Sequence, residues 1–298
     1  MAQSTILQDI AANVIKLMKD HGTAWTKPWS TVTQNFGQPI SAKKREYSGI
    51  NRFHLGCVMG AMGYKSPVFG TFKQWKSLGA NVRKGEKSCQ VVFFKTIVKK
   101  EQNASGEDVT ATIPIIKTFN VFNADQVDNW NGAWLEVVED DRAQGWDDIQ
   151  NADQLVLKTG AVIEWKNQDQ AFYMPSTDKI CMPEKRQFKN ESGYYGTMFH
   201  ELIHWTGHAS RQDRKFGTRF GSDGYAKEEL IAELGAAMLS SITKVDAEPR
   251  ADHAEYLNSW IKGLKANPRI IMTAASQAEK GVQTILDAAK TTIEAVAA

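Results

Sequence analysis

Cysteine is scarce: there are three in 298 residues, Cys57, Cys89 and Cys181. They are odd in number, widely spaced and never arranged as CxxC, which excludes a disulfide framework and a thiolate zinc site. Long apolar runs are missing too. No stretch approaches the roughly 18–20 residues that span a bilayer, so no membrane partner is expected. The opening MAQSTILQDIAANVIKLMKD has no basic leader ahead of an apolar run. It reads as an amphipathic helix, not a secretory signal, and a reducing cytoplasm is the expected setting. There is no Walker A motif and no GxGxxG after a strand, so nucleotide hydrolysis has no support. No helix-turn-helix, zinc-finger or RNP signature occurs, which removes sequence-specific duplex readout. At 42% hydrophobic and 23% charged residues, the chain is neither disordered nor fibrous.

Acidic residues are almost missing from one stretch. Residues 25–100 carry 14 basic side chains against two acidic ones, Glu46 and Glu86, although the whole chain has a net charge of only +2. Such a block repels itself, and a polyanionic partner offsets the cost. Aromatics are set among these bases. Cations that track phosphates beside rings that stack bases, at roughly 1–3 kcal/mol each, suit single-stranded DNA. The expected contact residues are Trp25, Lys27, Trp29, Lys43, Lys44, Arg45, Tyr47, Arg52, Lys73, Trp75, Lys76, Arg83 and Lys84. A small domain also needs aromatics for its core, so only two or three of the rings in this stretch, which include Phe53, Tyr64 and Phe72, are expected to be exposed.

The pattern along the chain predicts an α+β protein of two domains, residues 1–135 and 145–298, with the changeover near 140 where EVVEDDRAQGWDD reverses the sign of the charge. A helix is predicted over Thr5–Asp20, with Ile6, Ile10, Val14, Leu17 and Met18 on one stripe and Gly22 as its stop. Residues 23–56 read as loop-rich. Residues 89–99 and 113–122 read as a hairpin, being rich in Val, Ile, Phe and Thr. A helix follows at Asp148–Lys158, then strands at 161–165, 171–174 and 178–182, and three or four helices. The last of these spans 268–297 and opens on Pro268.

The chemistry concentrates in FHELIHWTGH, where His200, Glu201 and His204 form HExxH. Residues four apart share a helix face about 6 Å apart along the axis, so two imidazoles can converge on one ion. Zn²⁺ held there acidifies a bound water, and Glu201 can accept its proton as general base. A catalytic zinc needs a third protein ligand. The metzincin pattern would place a histidine at position 210, which is Ser210. The better source is YAKEELIAELGAAML, a helix opened by Ser222 or Asp223 that carries Glu228, Glu229 and Glu233. Glu229 is the expected ligand and Glu233 its support, as in gluzincins, with the reverse assignment open; Glu228 is expected to be exposed. Strand 171–174 or 178–182 is the expected edge on which an extended substrate lies. Tyr194, Tyr195 and Tyr225 lie near the motif in the sequence, where a role in polarising a carbonyl and a role in packing are both open. His21, His54 and His253 stand alone and are expected at the surface or in packing.

Two sets of motifs carry a family resemblance. WTKPW, PISAKKREYSGIN and FGTFKQWKSLGANVRKGEK resemble the N-terminal domain of ArdC-type antirestriction proteins, a domain also similar to part of certain plasmid-encoded primases. DKICMP, FHELIHWTGH and EELIAELGAAML resemble the metallopeptidase domain fused to it in that family, which is itself similar to SprT-like zinc proteases. The resemblance implies a plasmid-borne protein that binds single-stranded DNA and protects entering DNA from host restriction. It places the metal on His200, His204 and a glutamate of the 229–233 pair. The resemblance leaves open which protein is cut, if any; host restriction proteins or other DNA-bound proteins are the candidates. Zinc is the expected ion, with Mn²⁺ or Ni²⁺ fitting the same ligands. Two rival readings remain open: a non-enzymatic protein that coats single strands around a structural metal, and a general peptidase localised by its basic half.

Overall fold

The structure is a computed structural model that describes residues 2–102, 108–130, 132, 148–216, 223–245 and 254–297. Helix α1 (Ala2–His21) buries Ile6, Ile10, Val14 and Met18 as one stripe. Gly22 follows at φ +58°, a left-handed conformation that ends the helix at little steric cost. The segment read as loop holds two helices instead, α2 (Lys27–Phe36) and α3 (Gly49–Met62), with the short strand β1 (Ile40–Ser41) between them. Pro28 sits in the first turn of α2, where its missing N–H costs nothing. The buried faces mix residue types: Trp29, Ser30 and Thr33 beside Val32 on α2, and Phe53 and His54 beside Ile50, Leu55 and Met59 on α3, so an aliphatic stripe alone traces them poorly.

Next come β2 (Val68–Gly70), α4 (Phe72–Ser77) behind a Thr71–Gln74 capping box, and β3 (Asn81–Val82). The expected hairpin forms from β4 (Cys89–Gln102) and β5 (Asp108–Asn123), paired from Cys89 opposite Val121 out to Gln102 opposite Asp108. Strand β6 (Val127–Asp128) pairs with β3. The main N-terminal sheet has the order β1-β2-β5-β4.

The domain changeover near 140, Ser222 and His253 lie outside the described residues. Beyond them, α5 (Asp148–Lys158) matches the expected helix, and β7 (Val162–Lys166), β8 (Phe172–Met174) and β9 (Lys179–Pro183) fall within a residue of the expected strands. Their order is β7-β9-β8, with β8 antiparallel to β9. Strand β9 is therefore central, and of the two strands expected as an edge it is β8 that lies at one, with β7 at the other. Helices α6 (Glu191–Thr206), α7 (Asp223–Thr243), α8 (Ala254–Ala266) and α9 (Arg269–Ala297) complete the chain. None of the described helices is long and apolar enough to cross a membrane.

Both halves share one apolar core. It runs from the α1 stripe through Trp25, Trp29 and Phe53 to Phe199 and Leu202 of α6, Leu230 of α7 and Ile271 of α9. Trp25 sits at the junction, edge-on to Phe53 at 5.8 Å and to Trp260 of α8 at 6.3 Å. Polar ties cross the same contact. Thr33 Oγ1 meets Ser241 Oγ at 2.7 Å, and Gln34 Nε2 donates to the carbonyl of Ser240 at 3.1 Å. Replacing Trp25 by Ala removes the ring that bridges the halves. The variant should lose about 3–5 kcal/mol, read as a lowered unfolding midpoint by circular dichroism. A midpoint equal to wild type would contradict the bridging role.

Candidate functional site

Helix α6 begins where the Asn190 side chain accepts from the Gly193 N–H at 2.8 Å, a side-chain cap. Two turns on, its buried face presents His200 and His204. Their Nε2 atoms are 3.0 Å apart. Glu229 reaches across from α7, with Oε2 3.2 Å from His200 Nε2 and Oε1 3.6 Å from His204 Nε2. All three residues are buried, and their donor atoms lie within 4.8 Å of one another. Two imidazole nitrogens and one carboxylate at that spacing fit a single divalent ion, with a position left for water or substrate. Glu201 follows His200 on the same buried turn. Glu233 is also buried, one turn along α7, and is not a member of this cluster.

Glu228 is not the exposed helix glutamate that the sequence pattern indicates. It is buried, and its Oε1 lies 3.2 Å from His204 Nδ1, on the far side of the ring from the ion-facing nitrogen. Arg214 grips the same carboxylate, Nε at 3.1 Å from Oε2 and Nη2 at 2.8 Å from Oε1. The guanidinium also donates to Thr206 Oγ1 at 2.9 Å and to the Ile203 carbonyl at 2.6 Å. It thus ties off the end of α6 while it fixes Glu228. Gly207 makes this possible through its bare Cα. A Cβ there would stand 2.6 Å from the Phe216 ring and 2.9 Å from Arg214 Nη2. Gly235 does the same between helices: a Cβ would meet Ile203 at 2.5 Å.

These contacts set the charges. Burial acts to push His204 down, but Glu228 and Glu229 outweigh it and raise the imidazole to about 10. Burial would raise both carboxylates, yet their partners hold them below the usual range, His200 and His204 for Glu229, and His204 and Arg214 for Glu228.

Edge strand β8 is fastened beside the same helix. Tyr173 donates its hydroxyl proton to Asp178 Oδ1 at 2.8 Å, and Arg211 forks onto Asp178 while stacking 3.8 Å over the Trp205 ring. Phe216 links the two, 5.9 Å from Tyr173 and 6.3 Å from His204, ring centre to ring centre. Tyr194 and Tyr195 are buried in the core, with Tyr194 accepting from Trp165 Nε1 at 3.2 Å. Tyr225 is part-buried and lies tilted against Tyr256, 5.8 Å between ring centroids.

The residues expected to contact DNA divide. Trp25, Trp29 and Trp75 are 0–1% exposed, so their rings serve the core and offer no face to a base; this corrects their assignment as stacking platforms. Trp75 instead donates to the Phe122 carbonyl at 3.1 Å. Lys43, Arg45, Tyr47 and Lys73 line one groove. Arg52 braces its wall, donating from Nε to the Tyr47 carbonyl at 2.9 Å. Lys27 lines a separate, smaller hollow. Arg83 is engaged by Glu86 at 2.9 Å. Lys44, Lys76 and Lys84 are exposed outside the groove. Two exposed groove residues, Phe93 and Phe119, are absent from the sequence-based set. Their signal is the period of two in the hairpin strands, which puts Val91 with Phe93 and Phe119 with Val121.

Known proteins show the same two segments. Residues 4–122 match the model of the N-terminal domain of anti-restriction factor ArdC, and residues 150–277 that of a zincin-like metallopeptidase. Crystal structures of the antirestriction ArdC protein from the R388 plasmid, one metal-free and one Mn(II)-bound, are each 34% identical with a TM-score of 0.76; they cover 96% and 95% of this chain, and the chain covers 98% of each. An uncharacterized protein of Sinorhizobium fredii, y4eC, is 33% identical over 92% of this chain and 89% of its own length. Two Escherichia coli proteins named DNA primase TraC are each 36% identical over 91–92% of this chain, which spans only 19% and 26% of their lengths.

The Glu228–His204 contact orients a ligand, so Glu228→Gln should weaken divalent-metal affinity by about 10–100-fold. Competition against a chromophoric chelator measures it, and unchanged affinity would contradict the contact's role. Metal entry must also expel the proton that His204 holds up to about 10. Apparent affinity should therefore fall as pH falls, by roughly tenfold per unit across pH 6–8 for one displaced proton. The same titration at three pH values checks the sign.

Proposed function

Because the chain belongs to the ArdC antirestriction family, with a zincin-like domain that holds a divalent-metal site, we propose that it protects entering plasmid DNA from restriction by binding it as single strands and cleaving a protein at that site. The observation that carries the reading is the buried cluster of His200, His204 and Glu229 with Glu201 beside it. We take zinc as the ion, on the two-imidazole, one-carboxylate donor set; Mn²⁺ and Ni²⁺ fit the same set. When bound, the ion supplies Lewis acidity toward a water and a carbonyl.

The chain's own residues do the rest. His200, His204 and Glu229 hold the ion. Glu201 accepts the proton of the attacking water as its oxygen bonds to the carbonyl carbon. Glu201 then delivers that proton to the amine nitrogen as the C–N bond breaks. Among the described residues strand β8 pairs with β9 alone, which leaves an edge to which an extended polypeptide can add beside α6. The basic N-terminal half tethers the protein to DNA and raises the local concentration of DNA-bound targets. Host restriction proteins and other DNA-bound proteins are the targets of this reading.

Glu201→Gln keeps the shape and removes the base. It should retain metal content and single-strand affinity, while peptide hydrolysis falls about 10²–10⁴-fold and protection in a conjugation assay is lost. Full protection by a metal-loaded Glu201→Gln protein would leave the non-enzymatic coating role standing and end the peptidase reading.

A further inference from the structure

We propose that single-stranded DNA lies in the groove between the β4–β5 hairpin and helix α9, with its bases stacked on Phe93 and Phe119. This deepens the single-strand reading above and rests on it. The groove has a volume of about 1250 Å³, larger than the ~300–1,000 Å³ usual for small-molecule sites.

The hairpin explains the rings. Val91 stands opposite Phe119, and Phe93 opposite Lys117, so these side chains and Val121 share one face. At the base of the hairpin that face is buried: Val91 and Val121 pack with Leu55 and Phe69. One step outward the same face leaves the core, and Phe93 is 61% and Phe119 45% exposed. The rings meet edge-on, 6.4 Å between centroids. A lone exposed ring needs no explanation. A pair on the wall of a groove lined by Lys43, Arg45 and Lys73 joins stacking faces to phosphate-tracking cations, the combination that holds unpaired bases. Phe72 adds a third exposed ring. A duplex hides the base faces this surface takes.

Two acids also line the groove, and both are occupied. Glu46 pairs with Arg52 at 2.9 Å, and Glu279 pairs with Arg52 at 3.4 Å and accepts the Gly49 N–H at 2.6 Å. Gly49 has φ +53°, which lets the backbone present that N–H to α9. The opposite wall comes from α9 itself, through Met272, Thr273 and Ser276. The site is therefore built from both halves of the chain, not from the N-terminal domain alone.

The test is fluorescence anisotropy of a labelled oligo-dT with the full-length, metal-loaded protein over a salt series. Phe93→Ala and Phe119→Ala should each weaken binding roughly 5- to 100-fold and leave the salt dependence unchanged. Phe93→Tyr should retain affinity. Ser276→Trp, an exposed α9 position, should weaken binding from the other half of the chain. Lys290→Ala, an exposed α9 position outside the groove, should not. Irradiating a 5-iododeoxyuridine oligonucleotide with the wild type should cross-link peptides that contain residue 93 or 119. A wild type that binds no single strand would end the single-strand reading itself. A wild type that binds, with both Ala variants and Ser276→Trp at wild-type affinity or with cross-links confined to other peptides, would overturn the groove alone.

Discussion

Ionisable groups lie out of water where α6 meets α7, and that burial is the constraint on which the rest of the molecule turns. A buried charge is tolerated only when it is paired. Arg214 cancels Glu228, and Glu228 in turn holds His204 by the nitrogen that faces away from the cluster. Glu229 keeps its charge between two imidazoles. What remains is a pocket that favours a cation and disfavours an anion. The small residues at 207 and 235 allow the close helix and loop approach that this pairing needs. The sheet edge is fixed to the same helix end by Asp178, Arg211 and Trp205, so substrate strand and metal ligands share one scaffold.

The metal cluster was the most legible part of the sequence because its information is local. HExxH encodes a face of one helix, and a glutamate on the next helix supplies a third donor by proximity in the chain. The pairing of Glu228 with Arg214 was not legible in that way. It depends on residues 207–216 folding back over the end of α6, a tertiary event with no periodic trace. Glutamates at 228 and 229 look alike in the sequence, and only the approach of α6 decides that both turn inward. The tryptophans failed for the opposite reason. A Trp beside Lys suits a DNA surface and a domain core equally well, and burial of the large apolar ring wins where a second layer of helices is available to cover it. Helices α2 and α3 are obscured by a related mixture: α2 buries one aliphatic, Val32, among Trp29, Ser30 and Thr33, and on α3 Phe53 and His54 interrupt Ile50, Leu55 and Met59.

Helix α9 makes the two halves one object. Its residues 272–279 form a wall of the groove, and Gly281, a few residues on, lies against α6, where a Cβ would stand 3.0 Å from Thr206 Oγ1. The apolar core crosses the same junction through Trp25 and Trp260. Hydroxyl and amide contacts from Thr33, Gln34 and Gln38 to Ser240 and Ser241 would be exchanged for water if the halves parted, at about 0.5–1.5 kcal/mol net for each bond. Separation would also expose the rings of Trp25 and Trp29. The two TraC proteins match this chain across both segments in a single stretch of a much longer sequence. A pair of segments that shares its core is expected to persist in that way, as one block, because neither half keeps its buried surface without the other.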